Sequence, residues 1–235
     1  MLFKSFLLVV SLSAIQSQDL LDVLPVRIGD VPWQAMIKVD DEYRCGGVIY
    51  KEDIVLTIIE CVNGVYINNI SVRVGSAFKN LGGTEVKVKT VRLPLSDERQ
   101  YNVAVLQLDS NLQLGGSINT IELANRAPAT GAKVSVSGWG QLTTFMPSSE
   151  VLLRINLFVQ DKKKCSEDEI CAAPWGLIPA ACQGFAGCPL VHNNDLVGIG
   201  SWNNTCSLAN TPSRYVDIAL IRPWIDATVG LLRGF

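Results

Sequence analysis

Lys133-Val-Ser-Val-Ser137 alternates apolar and polar residues with period two, as a strand with one face buried and one face in water must. Similar short runs, rich in Val, Ile and aromatic residues, extend from it in both directions. Before it stand Trp33–Val39, Cys45–Ile49, Ile54–Ile58, Ser71–Gly75, Glu85–Val91 and Val103–Leu108; after it come Leu152–Phe158, Leu190–Val191, Leu196–Ser201 and Arg214–Val216. Gly, Asn, Asp and Pro punctuate the gaps. Only residues 222–232 read as a helix, with Pro223 in the first turn and Trp224, Ala227 and Leu231 at helical spacing. The looser stretch Leu112–Gly131, with Gly115-Gly116 and Pro128, reads as a crossing between two β halves, about 24–115 and about 130–218. The pattern predicts an all-β fold of two packed barrels.

Composition narrows the class. The 235 residues carry 22 acidic and 20 basic side chains, a net charge of −2, which argues against a nucleic-acid binder. Charged residues at 18% and hydrophobic ones at 48% argue against disorder. A single His excludes metal sites built on several histidines and mechanisms that need two imidazoles; no cofactor or metal motif is present. Residues 1–17 carry one charge, Lys4, and an apolar run too short to span about 30 Å of hydrocarbon, as in a secretory signal peptide. No later stretch reaches a membrane span, since Arg222 and Asp226 interrupt the candidate near the carboxyl end. The expectation is a secreted, extracellular domain over 18–235 in an oxidising compartment, where cysteines pair. Sequons at Asn69-Ile-Ser71 and Asn203-Asn-Thr205 make both asparagines glycosylation candidates.

Several blocks then share one order. Cys45-Gly-Gly-Val-Ile49, Val55-Leu-Thr-Ile-Ile-Glu-Cys61, Asn102-Val-Ala-Val-Leu-Gln-Leu108, Val136-Ser-Gly-Trp-Gly140, Ala181-Cys-Gln-Gly-Phe-Ala-Gly-Cys-Pro189 and Val197-Gly-Ile-Gly-Ser-Trp202 resemble the chymotrypsin/trypsin-like serine protease family over nearly all of residues 18–235. That resemblance implies two six-stranded antiparallel β-barrels with a cleft between them.

The same resemblance gives each catalytic group an address. A Ser attacks, a His takes its proton and an Asp orients the His. Glu60 stands where the His precedes the Cys of its block, Asn102 where the Asp opens its block, and Ala186 where the Ser belongs. A methyl group cannot attack a carbonyl, so Ala186 removes the covalent route. Gly184 and Ala186 keep the N–H groups that would form an oxyanion hole. Phe185, however, replaces the Asp that would accept a new amino terminus. Arg27-Ile28 is a basic-aliphatic step too close to Pro32 for activation cleavage and reads as an exposed coil. In the specificity pocket, Ala180 stands at the floor, Ser201-Trp202 lead to Asn203 at one wall, and Ser213 stands at the other.

The resemblance also implies the bridges Cys45–Cys61, Cys165–Cys171 and Cys182–Cys206, which leaves Cys188 over from seven cysteines. Cys188 reads either as a buried free thiol or as a link to another chain. As a substitute nucleophile it fits poorly: in an extended segment, two residues beyond Ala186, its side chain lies about 7 Å onward, and no basic neighbour stabilises a thiolate. His192 precedes Asn193-Asn-Asp195 at an expected hairpin tip and reads as a surface residue. Three functions follow: a non-catalytic homologue acting by binding an extracellular protein partner (an active protease, an inhibitor or a receptor), a residual hydrolase using Glu60 or Cys188, or a structural or storage protein that retains the fold.

Overall fold

The computed structural model describes residues 23–95, 101–142, 147–174, 185–201 and 212–234. Its first strand, β1 (Val23–Pro25), pairs antiparallel with β10 (Leu153–Val159), Val23 facing Ile155. The amino-terminal segment therefore belongs to the second barrel, although residues from about 24 were expected in the first. The first barrel begins at β2 (Gln34–Val39), which turns through Asp40 and Asp41 into β3 (Glu42–Lys51). Both turn residues have positive φ, 52° and 66°, the type I′ geometry whose twist matches its flanking strands. The barrel closes through β4 (Ile54–Thr57), β7 (Ala104–Leu108), β6 (Thr84–Arg92) and β5 (Ile70–Val74) back onto β2.

After β8 (Glu122–Leu123), which pairs parallel with β13 (Asp195–Gly200), the second barrel repeats the plan. Its strands run β9 (Lys133–Gly138), β10, β11 (Glu169–Ala173), β14 (Ser213–Asp217), β13 and β12 (Pro189–His192), with β12 returning to β9. Two closed six-stranded antiparallel barrels and one carboxyl-terminal helix make up the architecture that the resemblance implies.

Between the barrels lies a small apolar cluster of Val26, Val31, Met36, Trp139 and Leu152. Beside it the buried Ser137 hydroxyl donates to Gln34 Oε1 at 2.7 Å, a bond from β9 to β2. A buried amide left unpaired would cost about 1–3 kcal/mol, so Ser137 fixes the relative placement of the two barrels as well as adding to their stability.

The helix α1 runs Ile218–Arg233, a turn longer at its start than the expected 222–232. Asp217 caps it by accepting the Ala219 N–H at 3.1 Å, and this cap lies upstream of the stretch whose periodicity suggested a helix. Pro223 consequently sits inside the helix rather than in its first turn, and removes one backbone donor there. Charged anchors hold the helix on the first barrel. The Tyr50 hydroxyl donates to Asp226 Oδ1 at 2.6 Å, Arg233 Nε lies 3.4 Å from Asp53, and Arg233 Nη2 donates to Glu52.

Asp217 is 3% exposed, and burial raises its pKa above the ordinary carboxylate value, although the Ala219 N–H pulls it back. The folded state thus holds this proton to higher pH than the unfolded chain does. Its ionisation works against folding as pH climbs from the unfolded value through the folded one. Asp217→Asn keeps a capping oxygen without the buried charge. Urea titrations should show it as stable as the parent or more stable at pH 7, with its advantage vanishing toward pH 3, whereas Asp217→Ala, which loses the cap, should lose about 1 kcal/mol at pH 3 and less at pH 7.

Candidate functional site

Neighbouring strands of the first barrel bring Glu60 and Asn102 together. β4 and β7 pair with Thr57 opposite Ala104, so the turn after β4 and the segment before β7 leave the barrel side by side. Glu60 lies in the 3-10 turn Ile59–Cys61, pinned from below by the Cys45–Cys61 disulfide, with its Cα atoms 6.0 Å apart. The Asn102 amide donates from Nδ2 to Glu60 Oε1 at 3.0 Å and accepts the Ile59 N–H on Oδ1 at 3.2 Å. The Arg44 guanidinium donates to the Glu60 carbonyl at 3.4 Å. The exposed Glu60 carboxylate is therefore held by an amide donor, and an amide neither stores nor passes on a proton at neutral pH.

Ala186 comes from the second barrel. Residues 185–188 form a tight turn, with the Cys188 N–H donating to the Phe185 carbonyl at 3.1 Å and Gly187 at φ +75°. A Cβ on Gly187 would lie 2.3 Å from the Gly46 carbonyl oxygen and 2.4 Å from Thr57 Oγ1, so only glycine fits against the first barrel. The Gly46 N–H donates to the Ala186 carbonyl at 2.8 Å, and Thr57 Oγ1 donates to the Gly46 carbonyl at 2.8 Å. Ala186 itself is 7% exposed and presents only a methyl group.

This turn corrects the extended geometry expected around Cys188, which places its sulfur inward instead of along the cleft. Cys188 is fully buried and is a free cysteine. Burial pushes its thiol up to about 12, while the Gln34 side chain, the Gly46 backbone and Tyr43 offset only part of the rise. All three neighbours are neutral, so no cation there stabilises a thiolate. Of the two roles considered for it, this burial is in keeping with the buried free thiol. Its pocket is made by missing side chains: a Cβ on Gly46 would lie 2.3 Å from Sγ, and one on Gly138 would lie 2.5 Å away. Phe185, 5% exposed, packs in the same second-barrel core and approaches the Gly138 position with Cδ1 at 3.1 Å.

The other anticipated positions divide into two groups. Ser213 lies buried on β14 opposite Ala172, and the Ser201 N–H donates to the Arg214 carbonyl at 3.0 Å. Ala180, Gly184, Trp202, Asn203 and the Cys182–Cys206 pair lie outside the described residues. Cys165 and Cys171 are bonded. Arg27 is exposed and paired with Asp30 at 3.2 Å. Asn69 is half-buried at the end of the turn Ile67–Asn69. His192 ends β12 beside Asn193 and Asn194, a second type I′ pair at φ 51° and 67°; its Nδ1 lies 2.8 Å from the Lys133 carbonyl, far along the barrel from the Ala186 turn.

Compared with known proteins, residues 22–225 match the family model described as Trypsin. The chain belongs to the trypsin-like serine protease family. It is 37% identical over 213 residues to Trypsin iota of Drosophila melanogaster, spanning 84% of this chain and 83% of that one. With Hypodermin-A of Hypoderma lineatum it shares 34% identity over 214 residues, covering 85% and 83%. Among solved structures, a scabies mite inactivated protease paralogue superposes with a TM-score of 0.79 at 26% identity, over 88% of this chain and 95% of that one. Mouse neuropsin, described as a serine protease, does so at 0.78 and 25%, over 88% and 98%.

Sequence reasoning missed Gln34, Tyr43 and Thr57, which surround the Ala186–Cys188 turn from the first barrel. Gly46 and Gly138 carried the available signal, because a cysteine replacing a small residue needs neighbours without side chains. Gly138→Ala should therefore destabilise the fold by about 1–3 kcal/mol. Cys188→Gly in the same chain should recover much of that loss, giving a clear coupling energy in a double-mutant cycle read by urea unfolding. A thiol reagent at pH 8 should leave Cys188 unmodified in the native protein and modify it on unfolding.

Proposed function

We propose that this chain is a secreted member of the trypsin family that cleaves no peptide bond and acts by binding another extracellular protein. The single observation that carries this reading is what stands at the family's three catalytic positions: a methyl group at Ala186, and a Glu60–Asn102 pair in which an amide donates to a carboxylate. At these three positions there is no hydroxyl to attack, no imidazole to take its proton and no carboxylate to orient a base. In a related acyl-transfer enzyme, removing triad members costs on the order of a millionfold in turnover. The mite paralogue at 26% identity is itself described as inactivated, which supports the reading by likeness. The trypsins at 33–37% identity pull the other way, and the side chains at Glu60, Asn102 and Ala186 favour the binding reading over theirs.

Binding is the use left to a rigid two-barrel scaffold whose loops remain free to vary. The partner expected is an active protease, an inhibitor that normally docks into such clefts, or a receptor. Removal of a leader over residues 1–17 and glycans on Asn69 and Asn203 belong to the same proposal.

Restoring the triad residues alone should not restore catalysis. The variant carrying Glu60→His, Asn102→Asp and Ala186→Ser still has Phe185 where the family's carboxylate would anchor an amino terminus. Peptide amide hydrolysis by that variant is expected to stay within about tenfold of background. A fluorophosphonate probe should leave the parent protein unlabelled. Labelling of the parent, or turnover that Ala186→Ser does not change, would favour the residual hydrolase and sink the binding reading.

A further inference from the structure

The outer face of β6 carries a row of exposed cations. Along Thr84–Arg92, Val86 and Val88 point into the first barrel, while Lys87, Lys89 and Arg92 are exposed. Lys87 and Lys89 stand about 7 Å apart by strand rise. The register with β7 slips between Val88 and Thr90, so Lys89 is the extra residue of a bulge and is aimed away from the ladder. None of the three has a carboxylate across from it. Lys87 faces Ser71 on β5, and Arg92 faces Val105 on β7. Glu85, the acidic residue of the same strand, is bonded by Lys38 at 2.8 Å and by the Ser71 hydroxyl at 2.6 Å, and feels Lys87 only as a weaker, longer-range charge. Asp109, whose N–H meets the Lys87 carbonyl, accepts the Ser110 hydroxyl on its carboxylate. Among the described residues, no ion pair involves Lys87, Lys89 or Arg92.

The row ends at a cavity of about 430 Å³ between β6 and the loop that follows Cys61. Lys89 and Arg92 form its charged wall; Val65, Ile67 and Leu93 supply an apolar one. Asn63 and Gly64 lie on the loop side, and a Cβ on Gly64, at φ +74°, would meet nothing within 4 Å. Tyr66, 83% exposed, stands next to Ile67 in the same loop. Two unpaired cations at a cavity suit a tetrahedral oxyanion. A third cation in line on the strand extends the site in one dimension, and an apolar wall with an exposed aromatic ring suits the C–H face of a sugar.

We propose that Lys87, Lys89 and Arg92 bind a linear sulfated polysaccharide, with one sulfate ester seated between Lys89 and Arg92. The site lies on the outer wall of the first barrel and does not depend on what the cleft does. The other basic run, Lys162–Lys164, makes a poor alternative. Lys162 Nζ donates to the Glu169 carbonyl and Lys164 Nζ to Gln160, and Glu167, Asp168 and Glu169 follow the run after Cys165 and Ser166.

The folded 235-residue chain should be titrated with a heparin octasaccharide in 50 mM and 200 mM salt, against desulfated heparin and against a single-stranded oligonucleotide of equal charge. Binding should weaken with salt and disappear on desulfation. Lys87→Gln, Lys89→Gln and Arg92→Gln together should reduce octasaccharide affinity on the order of tenfold or more, since three exposed ion pairs are lost. The same exchange at Lys162, Lys163 and Lys164 should change it less than about threefold. Because all these side chains are exposed, an unchanged melting temperature verifies that each variant folds. No binding by the parent, equal losses in both triple variants, or equal affinity for the oligonucleotide would each overturn the assignment.

Discussion

The second barrel meets the first through the backbone turn at Phe185–Cys188, and the site takes its form from that contact. Gly46 donates to the Ala186 carbonyl, Gly187 donates to the Gly200 carbonyl, and Thr57 satisfies Gly46 from the other side. Two hydrogen bonds thus hold the turn, one joining Ala186 to the first barrel and one joining Gly187 to the second, and the third braces Gly46 within the first barrel. The contact requires backbone against backbone, which is why a side chain at Gly187 would overlap both Gly46 and Thr57. Every group that the cleft presents at Ala186 inherits its position from this strap, whether or not it carries a reactive atom.

The two halves of the site are built independently. Glu60 and Asn102 are placed by the β4–β7 pairing and the Cys45–Cys61 bridge, all within the first barrel. Ala186 is placed by the second barrel's turn. Substitutions on either half therefore leave the other half's geometry intact, and the scaffold survives exchange of all three side chains. Fold and chemistry separate here for a structural reason: the strap and the bridge hold backbone, while the exchanged atoms hang from it.

Much of the fold was legible because its strands alternate. Lys133–Gly138 was read with its true limits, and most other strands were read to within a residue or two. Three elements carried no such signal. β1 has three residues and β8 two, too few to show a period, and β11 reads Glu-Ile-Cys-Ala-Ala, where small residues fill a crowded barrel interior in place of Val or Ile. The start of α1 was missed because Ile218–Ile221 is mostly apolar and follows a strand without a break. Asp217 marks that boundary through its cap, which shows only in the geometry. At the site, the identities of Glu60, Asn102 and Ala186 were legible from motif position. The inward turn of Cys188 was not, because it follows from the positive φ of Gly187 and from space left by glycines remote in sequence.

Phe185 and Cys188 are best understood together. A carboxylate at position 185, buried as deeply as the ring is, would need a counter-charge, and an unpaired buried charge costs several kcal/mol. The phenyl ring needs none. It packs against the second-barrel core, and Cys188 beside it fills the space over Gly46 and Gly138 with a neutral, polarisable sulfur. Apolar contact thereby takes over the task of holding the strap, which an ion pair performs where the resemblance places an Asp. A strap held by packing no longer depends on where the chain begins, and its stability is insensitive to the protonation of an amino terminus. The same exchange leaves the turn without the charged group that would respond to a new amino terminus.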